Sequence, residues 1–309
     1  MIFQVFVLLV GFVLLVKGAD WFVEGAAGMA KKFKIPQLII GLTIVAMGTS
    51  MPEAAVSITA AVNDNAGICI GNIVGSNILN ILIILGITAI IANVAIQKST
   101  FCYEIPYMMV ITVILMIFGI TGASINFIEG IILLVLFIIF LAYLFVLARK
   151  GQPVNDEEIG DLSIWKCILF IFIGGIMIVK GSDFAVSSAT AIAGFIGISE
   201  RFIGLTIVAF GTSLPELVTS VVAAKKGNAG IAIGNIVGSN IFNILFIIGV
   251  TSLICTVPFE SKFVIDTVIA ILSGLLLWAG TFKNKELRKP SGIVMLLCYG
   301  IYFAYLCVQ

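Results

Sequence analysis

Residues 41–53 read GLTIVAMGTSMPE and residues 204–216 read GLTIVAFGTSLPE, while residues 71–77 and 234–240 both read GNIVGSN. Both pairs are offset by 163 positions (204 − 41 and 234 − 71), so no net insertion separates the blocks. A fixed offset of this kind means that two copies of one structural unit are joined in a single chain. Each copy carries one glutamate, Glu53 or Glu216, beside a proline in an apolar stretch long enough for a helix. An ionised carboxylate at bilayer depth costs roughly 2.5–3.5 kcal/mol unless something compensates it, which makes both acids functional candidates.

Composition defines the solvent. Of 309 residues, 61% are hydrophobic and only 11% are charged, whereas soluble chains carry about 25% charged residues. Apolar runs of about 20 residues recur along the chain, the length needed to cross a bilayer as a helix. A net charge of +1 without any basic cluster argues against nucleic-acid binding. The six cysteines are scattered, form no CxxC pair and are accompanied by no histidine. Zinc and haem sites are thereby disfavoured, and the cysteines read as small apolar fillers. The N-terminus opens apolar without a basic leader or cleavage site, which reads as a retained first helix.

Breaks at charged and Gly/Asn/Pro-rich points divide the chain into ten segments: 2–30, 36–62, 66–92, 101–122, 125–149, 164–194, 200–224, 229–254, 263–281 and 291–308. The expected fold is an all-α polytopic membrane protein, its ten transmembrane helices forming two inverted five-helix repeats. Residues 1–149 form the first repeat and 164–309 the second, joined by a cytoplasmic linker at 150–163 (RKGQPVNDEEIGDL). The linker's acids lack the spacing of an EF-hand loop.

Basic residues orient the chain. With the N-terminus outside, the inside loops hold Lys31, Lys32, Lys34, Lys98, Arg149, Lys150, Lys166, Lys225, Lys226, Lys283, Lys285, Arg288 and Lys289, and the outside loops only Arg201 and Lys262. That bias predicts both termini outside a plasma membrane. Five helices per copy is an odd number, so the second copy must insert upside down.

Pro52 and Pro215 are expected mid-helix, each removing a backbone donor and freeing carbonyls around Ala46–Thr49 and Ala209–Thr212. No Lys or Arg lies in these segments to balance the two glutamates, so a bound cation is the natural compensation. Carboxylate, carbonyl, hydroxyl and amide oxygens favour hard ions such as Ca²⁺ or Na⁺. Thr49, Glu53 and Ser57 share a helix face, as do Thr212, Glu216 and Ser220. On the neighbouring segments Asn72, Ser76 and Asn80 align, matched by Asn235, Ser239 and Asn243. Read singly, these Ser and Asn residues are interhelical glue; repeated beside a glutamate and a helix break, they favour a site. Glycine stripes at 67, 71, 75 and 230, 234, 238 suit close helix contact. Asp20 and Asp183 follow Lys17 and Lys180 by three residues and read as intrahelical ion pairs. Glu104, Glu129, Glu260, Asp266 and Glu286 fall near helix ends or in loops and are assigned no chemistry.

The paired runs GTSMPE…GNIVGSNILN and GTSLPE…GNIVGSNIFN resemble the calcium/cation antiporter superfamily, specifically the compact prokaryotic sodium/calcium exchangers, across essentially the whole chain. The resemblance implies that Glu53 and Glu216 ligate calcium, with main-chain oxygens of Thr49 and Thr212. It implies one sodium site from Ala46 (carbonyl), Ser50, Ser76 and Glu216, and another from Ala209 (carbonyl), Ser213, Ser239 and Glu53. Asn80 and Asn243 would line the centre. Several relatives, potassium-dependent exchangers among them, carry aspartate where this chain has Asn243, so the core here holds two acids rather than three. The short linker leaves no room for large regulatory domains.

The expected activity is exchange of Na⁺ for Ca²⁺ by alternating access, by a chain acting as a monomer in the lipid bilayer, with no catalytic residues and no cofactor. One Ca²⁺ or two Na⁺ neutralise the pair, and competition for shared oxygens couples the fluxes. The long first and sixth helices are the candidates for movement. A proton/calcium or potassium-dependent exchanger, a channel and an intramembrane hydrolase are the alternatives.

Overall fold

The computed structural model describes residues 2–62, 66–150, 162–196, 209–283 and 285–308. The helices are α1 (Ile2–Phe33), α2 (Gln37–Thr49), α3 (Met51–Val62), α4 (Gly67–Ile91), α5 (Thr100–Gly122), α6 (Phe127–Arg149) and α7 (Ile164–Ile196). They continue as α8 (Ala209–Thr212) and α9 (Leu214–Lys225), then α10 (Ala229–Ile254), α11 (Lys262–Thr281) and α12 (Lys289–Cys307). Among the described residues, 8 helices are long and apolar enough to cross a membrane, or 9 if α2 and α3 form one bent span. Segment 200–208 of the expected seventh helix and residues 151–161 of the linker lie outside the described residues.

The two GNIVGSN helices form the centre. Over its most apolar stretch α10 is 94% buried and α4 78%, against 17% for α12. Alternating polar and apolar residues on α4 and α10 suit a protein interior on all sides, whereas the uniformly apolar α6 suits lipid. The chain is not wholly α-helical: two-residue strands β1 (Val94–Ala95), β2 (Ser124–Ile125), β3 (Val257–Pro258) and β4 (Glu286–Leu287) close interhelical loops. β1 pairs antiparallel with β4, and β2 with β3, so each ribbon joins a loop of one half to a loop of the other. Pairing satisfies backbone groups that a bare loop at the membrane edge would leave open.

The long helices α1 and α7 pack antiparallel along a glycine seam. A Cβ added to Gly18 would lie 2.9 Å from the Gly174 carbonyl oxygen, and one added to Gly11 would lie 2.9 Å from that of Gly181. Gly25 meets the Cys167 carbonyl at 2.7 Å in the same way. The backbones touch because no side chain stands between them. The glycine stripes near the centre differ in their contacts. A Cβ added to Gly234 would lie 2.7 Å from the Leu38 carbonyl oxygen on α2, and one added to Gly238 2.7 Å from that of Leu42. Gly67 and Gly75 meet no described atom within 4 Å, and the segment that would correspond to α2 lies outside the described residues.

The prolines are not mid-helix. Pro52 is the second residue of α3 and Pro215 the second of α9. The breaks fall one residue ahead of each new helix, at Ser50 (φ −83, ψ 9) and Ser213 (φ −91, ψ 4). Proline is tolerated in the first turn of a helix, so each segment restarts there, and the carbonyl four residues earlier, Gly48 or Gly211, is left for another donor. The axes of α2 and α3 differ by 49° as a result.

Gly174→Leu is expected to force α1 and α7 apart and to destabilise the fold by about 1–3 kcal/mol. Gly300→Ala, which meets nothing within 4 Å, should leave stability unchanged. Thermal melting in detergent compares the two.

Candidate functional site

The broken helices present their second halves to each other, and the serines at the breaks cross over. Ser50 Oγ donates to Glu216 Oε1 at 2.8 Å, and Ser213 Oγ donates to Glu53 Oε1 at 3.2 Å. Each glutamate is thus held by the serine that precedes its counterpart in the other half. Both carboxyl side chains are buried, at 1% relative exposure, with no basic residue bonded to either. Ser239 Oγ lies 3.4 Å from both Glu216 Oε1 and the Ala46 carbonyl, so it joins Ala46, Ser50 and Glu216 and not, as expected from sequence, the Ala209, Ser213 and Glu53 group: α10 packs against α2, which brings the serine of one half to the carbonyl of the other. Ser76 is buried on α4.

A ring of amides fixes the walls. Asn72 Nδ2 donates to Ser57 Oγ at 3.0 Å and to the Glu53 carbonyl at 3.3 Å. Asn235 repeats the pattern with Ser220 Oγ at 2.9 Å and the Glu216 carbonyl at 3.4 Å. Asn235 Oδ1 also accepts from Thr49 Oγ1 at 2.9 Å. These two asparagines are therefore the clamps that hold each glutamate-bearing helix against its neighbour, the glue role in both copies.

Asn80 and Asn243 behave differently. Each opens a π-helical turn, Asn80–Leu85 and Asn243–Ile248, a widened geometry often found at functional positions. Asn80 Nδ2 donates to Asn240 Oδ1 at 2.9 Å, and Asn243 Nδ2 donates to Asn77 Oδ1 at 3.0 Å. Asn77 and Asn240 in turn donate to each other's carbonyls, both at 3.1 Å. With their amide nitrogens tied back, Asn80 and Asn243 keep their Oδ1 atoms buried and unpartnered. Glu53 Oε2 and Glu216 Oε2 are buried and unpartnered too.

Four buried acceptors without donors are costly in a protein interior, and all four belong to residues that the sequence marks as site candidates. The donor chemistry is oxygen only, two carboxylates and two amides, with hydroxyls and carbonyls alongside. That set fits a hard cation such as Ca²⁺ or Na⁺ as cargo. Among the described residues no group of three or more His, Cys, Asp or Glu side chains forms a soft-metal or acid-rich cluster.

Sequence reading missed Asn77, Asn240 and Ser182. The first two close the repeated GNIVGSN run, so their recurrence was a signal, but only coordinates give them a role in orienting their neighbours. Ser182 Oγ donates to the Gly211 carbonyl at 2.8 Å, the acceptor that Pro215 leaves without its helical donor. Ala209 closes the list of expected carbonyl donors, at the first residue of α8.

A cleft of about 490 Å³ runs between α3 and α7, lined by Met51, Pro52, Ser182, Asp183, Ser187 and Thr212 among others. On the opposite side α1 packs against α9, and Lys226 Nζ lies 2.6 Å from Asp20 Oδ1, 3.9 Å from Glu24 Oε2 and 3.0 Å from the Asp20 carbonyl oxygen. Asp183 does pair with Lys180, at 3.6 Å, as its spacing implies. Asp20 instead takes a partner from the other half, because the close approach of α1 to α9 offers Lys226 at shorter range.

Apolar spans enclosing a buried cage of unpartnered oxygens define a membrane transporter for cations. The sodium/calcium exchanger protein family matches residues 3–146 and 166–308, and the chain belongs to that family. Its members are antiporters and not enzymes. The chain is 31% identical to the sodium/calcium exchanger MaX1 of Methanosarcina acetivorans, covering 97% of each. It is 33% identical to the inner membrane protein YrbG of Escherichia coli, covering 95% of this chain and 93% of that one. A solved structure of the sodium-calcium exchanger NCX_Mj, soaked with Na⁺ and Ca²⁺, superposes with a TM-score of 0.86 at 35% identity over 98% of both chains.

Asn240→Ala removes the acceptor that turns Asn80. Loss of that bond, about 1 kcal/mol, should weaken calcium affinity about fivefold by calorimetric titration, and because the bond from Asn240 Nδ2 to the Asn77 carbonyl goes with it, thermal stability should fall by about 1–3 kcal/mol.

Proposed function

We propose that this chain exchanges Na⁺ for Ca²⁺ across the plasma membrane by alternating access at one site between two inverted halves, residues 1–149 and 164–309, joined by a cytoplasmic linker at 150–163. The observation that carries the reading is the reciprocal clasp of Ser50 on Glu216 and Ser213 on Glu53, with both outer carboxylate oxygens left without donors. Ca²⁺ takes the two carboxylates with the main-chain oxygens of Thr49 and Thr212. Na⁺ takes the flanking positions: the Ala46 carbonyl, Ser50, Ser239 and Glu216 on one side, and by the repeat the Ala209 carbonyl, Ser213, Ser76 and Glu53 on the other. Asn80 and Asn243 line the centre.

Several features support two five-helix halves of opposite orientation. Equivalent breaks at Ser50 and Ser213, equivalent π-turns at Asn80 and Asn243, and ribbons at residues 94–95 and 257–258 all recur at the sequence repeat. A ten-helix count takes α2 with α3 as one span and 200–208 with α8 and α9 as another. The relatives' names and the soaks of NCX_Mj speak for sodium and calcium as cargo.

Coupling follows from charge. Two carboxylates are balanced by one Ca²⁺ or by two Na⁺, and joint occupancy would crowd like charges in a medium of low dielectric. Only a fully neutralised site crosses between access states at low cost. With the N-terminus outside, α3 and the second half of α7 lead outward from the site. The cleft therefore opens to the exterior, and Lys226 with Asp20 closes the cytoplasmic side. Movement of the α1/α7 pair, joined along its glycine seam, exchanges the two. Both central amides being neutral, K⁺ and H⁺ are not needed to balance the cage.

Glu53→Gln and Glu216→Gln should each abolish sodium-driven calcium uptake into proteoliposomes; normal uptake by either would remove the site assignment. Lys226→Gln releases the cytoplasmic clasp and is expected to slow thiol labelling of Ser187→Cys a few-fold in a background without native cysteines, as the outward cleft becomes less populated.

A further inference from the structure

A second buried carboxylate lies away from the ion cage, and transport does not use it. Glu104 was expected to be inert near a helix end; it is fully buried on α5. The reason is that α6 packs across it, with Tyr143 Oη donating to Glu104 Oε1. Glu104 Oε2 has no hydrogen-bond partner, and neither has the buried Thr100 Oγ1 one helical turn earlier. Glu104 lines a cleft of about 360 Å³ between α5 and α6, walled by Tyr103, Tyr107, Phe140 and Tyr143. Phe140 stacks on Tyr107 at 5.5 Å and on Tyr143 at 6.3 Å, a continuous aromatic wall. No lysine or arginine lines the cleft, and no described ion pair includes Glu104. Tyr103, on its rim, is 63% exposed on the surface that faces lipid.

We infer that this cleft binds the primary ammonium headgroup of an aminophospholipid, with Glu104 as acceptor and the tyrosine rings around the cation. Depth supports that occupant. Glu104 lies four residues from the start of α5, about 6 Å along the helix, at the level where headgroup meets acyl chain. Charge and donor count support it as well. An ammonium offers the positive charge and the N–H donor that Glu104 Oε2 lacks, and aromatic faces add cation–π attraction. The apolar flank formed by Val110 and Ile139 then receives the acyl chains. The second half holds a related pair, Tyr302 Oη donating to Asp266 Oδ1 at 2.9 Å between α12 and α11. Asp266 is only partly buried there and lies near Lys262, so a competing cation is already present.

The test uses the intact protein in detergent and native mass spectrometry. Phosphatidylethanolamine, its N-methyl, N,N-dimethyl and N,N,N-trimethyl forms, and phosphatidylglycerol are compared with identical acyl chains. Wild type should retain phosphatidylethanolamine about tenfold better than phosphatidylglycerol, and retention should fall as methyl groups replace N–H donors. Glu104→Gln should abolish the preference, while Glu53→Gln should keep it, which separates this proposal from the transport reading. Equal retention of all headgroups by wild type overturns the proposal, as does an unchanged preference in a folded Glu104→Gln variant. If that variant does not fold, the methylation series on wild type decides alone: flat or rising retention overturns the assignment.

Discussion

Two carboxylates buried at the centre of an apolar protein, with no protein cation to balance them, are the constraint around which the structure is organised. Glu53 and Glu216 are each 1% exposed, and hydroxyls alone hold their inner oxygens. An arginine in their place as counter-ion would give a permanent, satisfied pair with no vacancy for cargo. Hydroxyl and amide donors supply only part of what the carboxylates require. In the proposed function that deficit is what the cargo cation fills.

The surrounding features serve that deficit. Proline at the second position of α3 and of α9 restarts each helix and points backbone carbonyls toward the centre without a full kink. Asn77 and Asn240 consume the donor ends of Asn243 and Asn80, so that only acceptors face inward. Asn72 and Asn235 lock the glutamate helices to α4 and α10. Rigid donors at the walls and unpaired acceptors at the middle are two consequences of one network. The pair proposed to move is built differently: α1 and α7 meet through glycines, which bring their backbones into direct contact and join them along one seam.

Much of this was legible in the chain itself, because the signals were repeated. One fixed offset exposed the duplication, and matching glutamates, serines and asparagines in both copies identified the residues that meet. Helix extents followed from apolar runs interrupted by charge, and the described spans agree with them within a few residues. Less legible were roles that depend on which neighbour a side chain finds. Asp20 has Lys17 three residues away, yet pairs with Lys226, more than 200 residues distant in sequence. Glu104 reads as a helix-end acid until α6 is laid across it.

The sequence by itself determined the class of solvent, the duplication, the two acids and the oxygen-only chemistry around them, because each of these is a property of residue type and spacing. Tertiary structure alone decided the crossed pairing of Ser50 with Glu216 and Ser213 with Glu53, the inward turn of Asn80 and Asn243, and the side on which the cleft lies open. Those depend on how the two halves dock. A repeated sequence describes both halves alike, so it does not say which residue of one half meets which residue of the other.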